Sequence, residues 1–362
     1  MFISGEPGIS PIFPFYRGHG VDGIGRCSLF SHARGALGHY LRSLRSLNGR
    51  NADTILFPSY ICDDVVRMVE DEGFETEFYF VGDNLDPDLN DIGKKITERT
   101  LAVIVVHYFG FMRNGAGVVD LCGGKRVSVI EDFAHVMFDD QRLEAGNIKG
   151  DAAIFSLRKQ FPVPDGGLLF VKNGRIGCAD LVCEGQGPLL NKFIKYILNR
   201  MPLPIKRSYG PEKLVDKSFK GIERISSISE TIIRRHVNAQ SIRESRRRNF
   251  LCYVEKFTKE GLLNDVELVF DRLGDMDIPY MLPVRLKCRN ARLVAELRSM
   301  GVPAISWPTL PSAVVAGDTY ATVRSLRDNI VLLPLHQDIT RRHIDHVTGL
   351  FSRTIESLGI CS

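Results

Sequence analysis

Between residues 54 and 171, short apolar runs alternate with amphipathic stretches, and this alternation constrains the chain more than any other feature. Apolar runs at 54–57, 77–81, 101–107, 127–130, 152–156 and 168–171 have the length of strands. The stretches at 30–46 and 63–72 carry helical apolar spacing, with Ser31 as the expected N-cap of the first. A strand buried on both faces needs a continuous apolar run, and a parallel neighbour needs a long crossover, usually a helix. The expectation is therefore an α/β chain with a mostly parallel sheet covered on both sides.

At 362 residues the chain suits a large domain with a smaller one attached, expected as 1–245 and 246–362. The tail carries a strand at 280–286, a helix at 291–300 and the string IVLLPLHQDITRRHIDHV, which reads as a small α+β unit. A net charge of +4 is too small to argue for nucleic acid. No apolar run reaches the length of a membrane span, and the N-terminus lacks a basic region followed by an apolar core, so a cytoplasmic protein is expected. Eight cysteines without a CxxC pair argue for reduced thiols rather than disulfides or zinc.

Several motifs have a plain explanation. Gly18 to Gly23 match GxGxxG, but no apolar strand precedes them and no helix follows, so a loop is expected. His343 and His346 share a helix without a third ligand, which favours two polar side chains facing solvent over a metal site. Residues 188–208 form a basic amphipathic stretch broken by Pro202 and Pro204; packing on the body or a second subunit is favoured over a membrane surface. Residues 226–256 read as one long basic helix whose RESRRRNF run is a solvated face.

Chemistry concentrates between 129 and 171. The run 127–130 ends at Glu131 and Asp132, and Lys159 follows the run 152–156. A carboxylate at the end of a buried strand is costly to desolvate unless a cation meets it. The alternatives for Asp132 are a helix cap, an arginine partner or a protonated pyridine nitrogen. Arg158 beside Lys159 disfavours a second positive charge and so favours the neutral amine that attacks an aldehyde. A solvated loop lysine is the bland alternative. Pro162-Val163-Pro164-Asp165-Gly166-Gly167 supplies a turn that lets backbone approach a ligand closely.

The ordered strings around these residues resemble the DegT/DnrJ/EryC1/StrS family of sugar aminotransferases, over nearly the whole length. FSHARGAL resembles the family's SGTAAL, FPSYICDD its PSYTF turn, and VIVVHYFG its VHLYG. VIEDFAH resembles VIEDAAQ, and GDAAIFSLRKQFPVPDGG resembles GDAATFSFxxxKxxxxGxGG. NIVLLPLHQDITRRHIDHV resembles VLSLPxxPxLTxxxIDxV. The resemblance implies the fold-type-I architecture of pyridoxal 5'-phosphate (PLP) transferases, with a mostly parallel seven-stranded sheet between helices and a smaller C-terminal α+β domain. It implies PLP as cofactor and Lys159 as the imine-forming residue that moves the proton. Asp132 would meet the pyridinium nitrogen and His135 the ring near its phenolic oxygen. Ser156 and the backbone of Ala33 and Arg34 would hold the phosphate, and Tyr60 lies in the turn that usually sends an aromatic toward the cofactor.

The chain departs from the family pattern in places. Ser156 and Lys159 are three positions apart where the family has five. Arg34 replaces a small hydroxyl residue and can itself grip a phosphate. Ile222, Glu223 and Arg224 stand where the family's NYR stretch sends an asparagine to the partner subunit, and 185–220 has no clear counterpart. The resemblance implies an aminotransferase of amino-sugar biosynthesis, for a polysaccharide or a secondary metabolite. It would turn the keto group of a nucleotide-activated keto-sugar into an amine with a donor such as glutamate, as a homodimer. Two other readings stay open: a sugar dehydratase of the same family, which has histidine in place of the lysine, and an inactive scaffold.

Overall fold

The structure, a computed structural model, describes residues 24, 27–49, 51–144, 146–174 and 221–360. The GxGxxG string and the 188–208 stretch lie outside them. The larger sheet has seven strands in the order β1 (Ser28–Phe30), β7 (Gly167–Val171), β6 (Ala152–Ser156), β5 (Ser128–Phe133), β4 (Thr100–Val106), β2 (Thr54–Pro58) and β3 (Glu75–Tyr79). The strands β2 to β6 are mutually parallel. Antiparallel β7 pairs with β6, and β1 pairs with β7. β4 is buried at every position, as its unbroken TLAVIVV run requires of a central strand covered on both faces.

Helix α1 (Ala33–Asn48) crosses β6 and β7, and α2 (Asp63–Asp71) follows β2. Its N-cap is His32 rather than the expected Ser31, because His32 already has extended dihedrals while its carbonyl accepts the Ala36 N–H at 3.2 Å. In α3 (Leu89–Lys95), Asp88 Oδ1 accepts the first-turn amides of Asn90 and Asp91, both at 3.0 Å. α4 (Gly115–Cys122) joins β4 to β5, and one helical turn, α5 (Leu157–Gln160), follows β6.

The single basic helix expected over 226–256 is two helices, α6 (Ser227–His236) and α7 (Ala239–Lys259). Val237 is extended, and Asn238 caps the second helix by accepting the Ser241 N–H at 2.9 Å. α7 runs unbroken across position 245. Beyond it a three-stranded antiparallel sheet, in the order β10 (Ile330–Pro334), β9 (Met281–Leu286), β8 (Val266–Leu268), packs with α8 (Ala291–Ser299), α9 (Ser312–Val315), α10 (Ala321–Asn329) and α11 (Arg341–Ser357). His343, at the exposed start of α11, forms a capping box with Thr340. Among the described residues no cluster of histidine, cysteine and carboxylate side chains could hold a metal, and no helix is long and apolar enough to cross a membrane.

The C-terminal part docks on the end of β4. Phe109 and Gly110 both have positive φ, +56° and +96°. Their carbonyls accept the Tyr280 N–H at 2.7 Å and the Ile278 N–H at 2.9 Å. A Cβ on Gly110 would sit 2.1 Å from the Ile278 carbonyl oxygen, so only glycine lets the two segments meet here.

Candidate active site

The C-terminal ends of β4, β5 and β6 and the start of α1 converge, the place where open α/β sheets gather their chemistry. Asp132 pairs with Val106 and Ile154 in the sheet register, and Ser156 faces Gly167 across the β6–β7 ladder. Gly167 explains the approach of α1. A Cβ there would lie 2.2 Å from His32 C and 2.4 Å from Ala33 N, and the Gly166 N–H donates to Ser31 O at 2.7 Å. The turn expected to let backbone near a ligand thus brings β7 against the N-terminus of α1. Asp165, buried in the same turn, accepts from the Ser226 N–H at 2.9 Å, from Ser226 Oγ at 2.7 Å and from Ser229 Oγ, anchoring the loop to α6.

Lys159 sits on α5, a helical turn rather than a loop, and is half-buried. Burial, helped by Arg158 and Arg34, holds its ammonium below the ordinary lysine range, against the opposing pull of Asp132 and Cys62. Asp132 is buried, and burial pushes its carboxyl up despite the Ala134 N–H, which donates to Oδ1 at 2.8 Å, and despite Lys159 and His107. A cation brought to that carboxylate would offset its desolvation. His135 stacks between Phe109 and Tyr280, ring centroids 5.6 and 5.4 Å away, with the edge of Trp307 at 4.7 Å. Burial and Lys159 keep its imidazole neutral, its titration pushed well below the ordinary range.

Behind Asp132, Glu131 is fully buried and satisfied. It meets His107 Nε2 at 3.0 Å and accepts the N–H groups of Lys149 and Gly150 at 2.6 and 2.8 Å. His107 Nδ1 accepts the Arg113 N–H at 2.9 Å, so Nε2 carries the proton and donates to Glu131. Burial alone would push the Glu131 carboxyl up, but these donors hold it below its usual value.

Ala33 and Arg34 occupy the first turn of α1, where amides lack intrahelical acceptors and the helix dipole favours an anion. Arg34 also lies 3.7 Å from Asp64 in the first turn of α2. Ser156 is buried at the end of β6. Tyr60 is fully buried in the turn that follows β2. Its ring packs edge-on against Tyr108 and Trp307, its hydroxyl donates to the Trp307 carbonyl at 2.5 Å, and Trp307 in turn meets His135. Glu223 O accepts the Ser31 N–H at 2.8 Å and Arg224 bridges to Phe30, so the segment in the NYR position lies along β1 of its own chain.

Sequence reasoning missed Cys62, whose thiol is pushed up by burial against the pull of Lys159 and Arg34, and Arg246, which is fully buried. The signal for Arg246 was available. Arg246, Asn249, Phe250, Tyr253 and Phe257 form one buried stripe of α7 at helical spacing.

The model of the DegT/DnrJ/EryC1/StrS aminotransferase family matches residues 41–352. The chain belongs to this family. A dTDP-4-dehydro-2,3,6-trideoxy-D-glucose 4-aminotransferase of Saccharopolyspora spinosa is 28% identical over 121 residues, which span 33% of this chain and 31% of that relative. The solved aminotransferase TlmJ from Streptoalloteichus hindustanus superposes with a TM-score of 0.68 at 17% identity, covering 99% of this chain and 100% of that one. NtdA from Bacillus subtilis, solved with bound cofactor PMP, gives 0.66 at 16% identity over 91% of this chain and 73% of that one. These structural matches establish that this DegT/DnrJ/EryC1/StrS family member has the aminotransferase fold.

Proposed function

We propose that the chain is a PLP-dependent aminotransferase that converts the keto group of a nucleotide-activated sugar to an amine, with an amino acid such as glutamate as donor. The observation that carries this reading is the pairing of Lys159, held toward its neutral form, with Asp132, a buried carboxylate that lacks a cationic hydrogen-bond partner among the described residues. These residues fit the cofactor. Bound there, PLP supplies an aldehyde carbon for the lysine amine and an electron-withdrawing ring.

The protein's own part follows from where its groups stand. Lys159 Nζ, held toward its neutral form by burial and by Arg158, can attack a carbonyl and then carry a proton between neighbouring carbons. Asp132 would keep a ring nitrogen protonated, since a cation there relieves the cost of its burial. Neutral His135 would donate or accept one hydrogen bond at the ring edge, fixed by its aromatic neighbours. Ala33, Arg34 and Ser156 would receive the phosphate at the start of α1, with Arg34 exchanging Asp64 for the new anion. Tyr60 would act indirectly, by holding Trp307 against His135.

The sugar part of this reading rests on family membership and on the curated relative's substrate. The reading also takes the protein to be a cytoplasmic homodimer divided at 245/246, with α7 shared by both parts. Adding PLP to purified protein should give an absorbance band near the visible edge, and borohydride should fix the cofactor to the peptide containing Lys159. A Lys159→Ala protein that still transaminates would sink the assignment, and the absence of any spectral change in the wild type would leave a scaffold.

A further inference from the structure

Arg246 is fully buried, and no carboxylate pairs with it among the described residues. A guanidinium in that position must be held by neutral acceptors, and two glutamines and a carbonyl provide them. Nε and Nη2 donate to Gln337 Oε1 at 3.0 and 2.9 Å. Nη1 donates to Gln160 Oε1, and Nη2 also donates to the Gln160 carbonyl at 3.1 Å. Burial pushes the group down to about 10, which still leaves it charged at neutral pH.

The acceptors matter because of what they belong to. Gln160 is the last residue of α5, the four-residue turn that carries Lys159. A turn so short is unstable alone, and its terminal carbonyls lack intrahelical donors. Arg246 supplies both a donor and a positive charge at that C-terminus, the end where the helix dipole favours a cation. On its other side, Gln160 Nε2 donates to the Ala134 carbonyl at 3.4 Å, two residues beyond Asp132. Arg246 therefore holds the Gln160 amide, which ties the lysine turn to the end of β5, and links that turn through Gln337 to the segment that follows β10. Gln160 directly follows the lysine of the shortened serine-to-lysine segment, and Gln337 stands at the position of the second proline in VLSLPxxPxLT.

We propose that Arg246 is a positioning residue that fixes the shortened Lys159 turn against the Asp132 strand and couples it to the C-terminal part of the chain. The proposal rests on the aminotransferase reading for the role of Lys159, but the tie itself is testable without cofactor. The full-length, cofactor-free protein is pulsed with acetic anhydride across a pH series, and acetylation of the Lys159 peptide is quantified by mass spectrometry. In Arg246→Met the midpoint for Lys159 should rise by about one unit, as a released turn lets water reach the amine. Arg246→Lys keeps the charge without the fork and should behave the same way. Gln337→Leu, which leaves the guanidinium in place, should shift it in the same direction by less, and it decides the matter if the Arg246 variants do not fold. PLP capture by borohydride should fall about tenfold in each. An unchanged Lys159 midpoint in variants whose circular dichroism matches the wild type overturns the proposal. A wild type that takes up no PLP, while the Lys159 midpoint still responds to Arg246→Met, supports the tie and removes only the cofactor reading.

Discussion

Gly167→Ala tests whether the close approach of β7 to α1 shapes the site. The added Cβ would stand 2.2 Å from His32 C, 2.3 Å from His32 O and 2.4 Å from Ala33 N. All three are main-chain atoms, so no side chain can swing aside. Ordinary contact begins at 3.4 Å, and the start of α1 would have to retreat by about 1 Å. Gly167 is held on both flanks, by Phe30 of β1 and Ser156 of β6, so the strand cannot yield instead. Overpacking of this kind costs about 1–3 kcal/mol, and backbone meeting backbone puts the expectation near about 3 kcal/mol. A 1 Å shift of the first-turn amides should also weaken PLP binding about tenfold, or ~1.4 kcal/mol. Urea unfolding reads the first quantity and an absorbance titration with PLP the second. Gly349→Ala in α11 is the control, because a Cβ there meets nothing within 4 Å and alanine favours the helix by up to about 1 kcal/mol. A Gly167→Ala protein with wild-type stability refutes the packing argument. One that is destabilised but binds PLP as before refutes the link from that packing to the phosphate end of the site.

Replacing His107 by phenylalanine keeps the stack on Phe133, centroids 4.3 Å apart, but strips a donor from fully buried Glu131; about 2–4 kcal/mol should be lost in urea unfolding, and a loss under about 1 kcal/mol would contradict the account. For Lys159 the pH dependence has a definite sign. Its folded value lies below its unfolded one, so between the two the unfolded chain binds more protons and stability rises with pH through that window. Melting of the cofactor-free protein at pH 8, 9 and 10, approaching the ordinary lysine range from below, should show this rise in the wild type and a flatter profile in Lys159→Met, and parallel profiles would count against the depressed ammonium. Asn238→Ala should cost about 1 kcal/mol of stability by uncapping α7, and a smaller effect than about 0.3 kcal/mol would mean the break between α6 and α7 is set elsewhere.

What could be read from the sequence follows the range over which each signal acts. β4 and β6 were legible because a strand buried on both faces writes its environment into its own residues. Three-residue β1 was not, since among the described residues SLF gains its ladder from β7 and from Arg224, far along the chain. Asp132 was legible as a strand-end residue and His135 through the family string around it, but the burial of Tyr60 under Trp307 depends on a contact across 247 positions.

The basic run RESRRRNF shows the same limit within one helix. Composition treats its arginines as equivalent, whereas the fold separates them. Arg243 meets Asp139 at 2.6 Å, Arg246 is buried against two glutamines, and Arg247 donates to the Asp277 carbonyl at 2.7 Å. Periodicity distinguishes them, because counting back from Tyr253 and Phe250 by three or four residues puts Arg246 on the buried stripe. A cation on an apolar stripe must be satisfied by whatever lies opposite, and what lies opposite here is the turn carrying Lys159. The shortening of that turn and the burial of that arginine are therefore one feature of the chain: four residues too few to hold a helical turn alone are held by a donor from another helix.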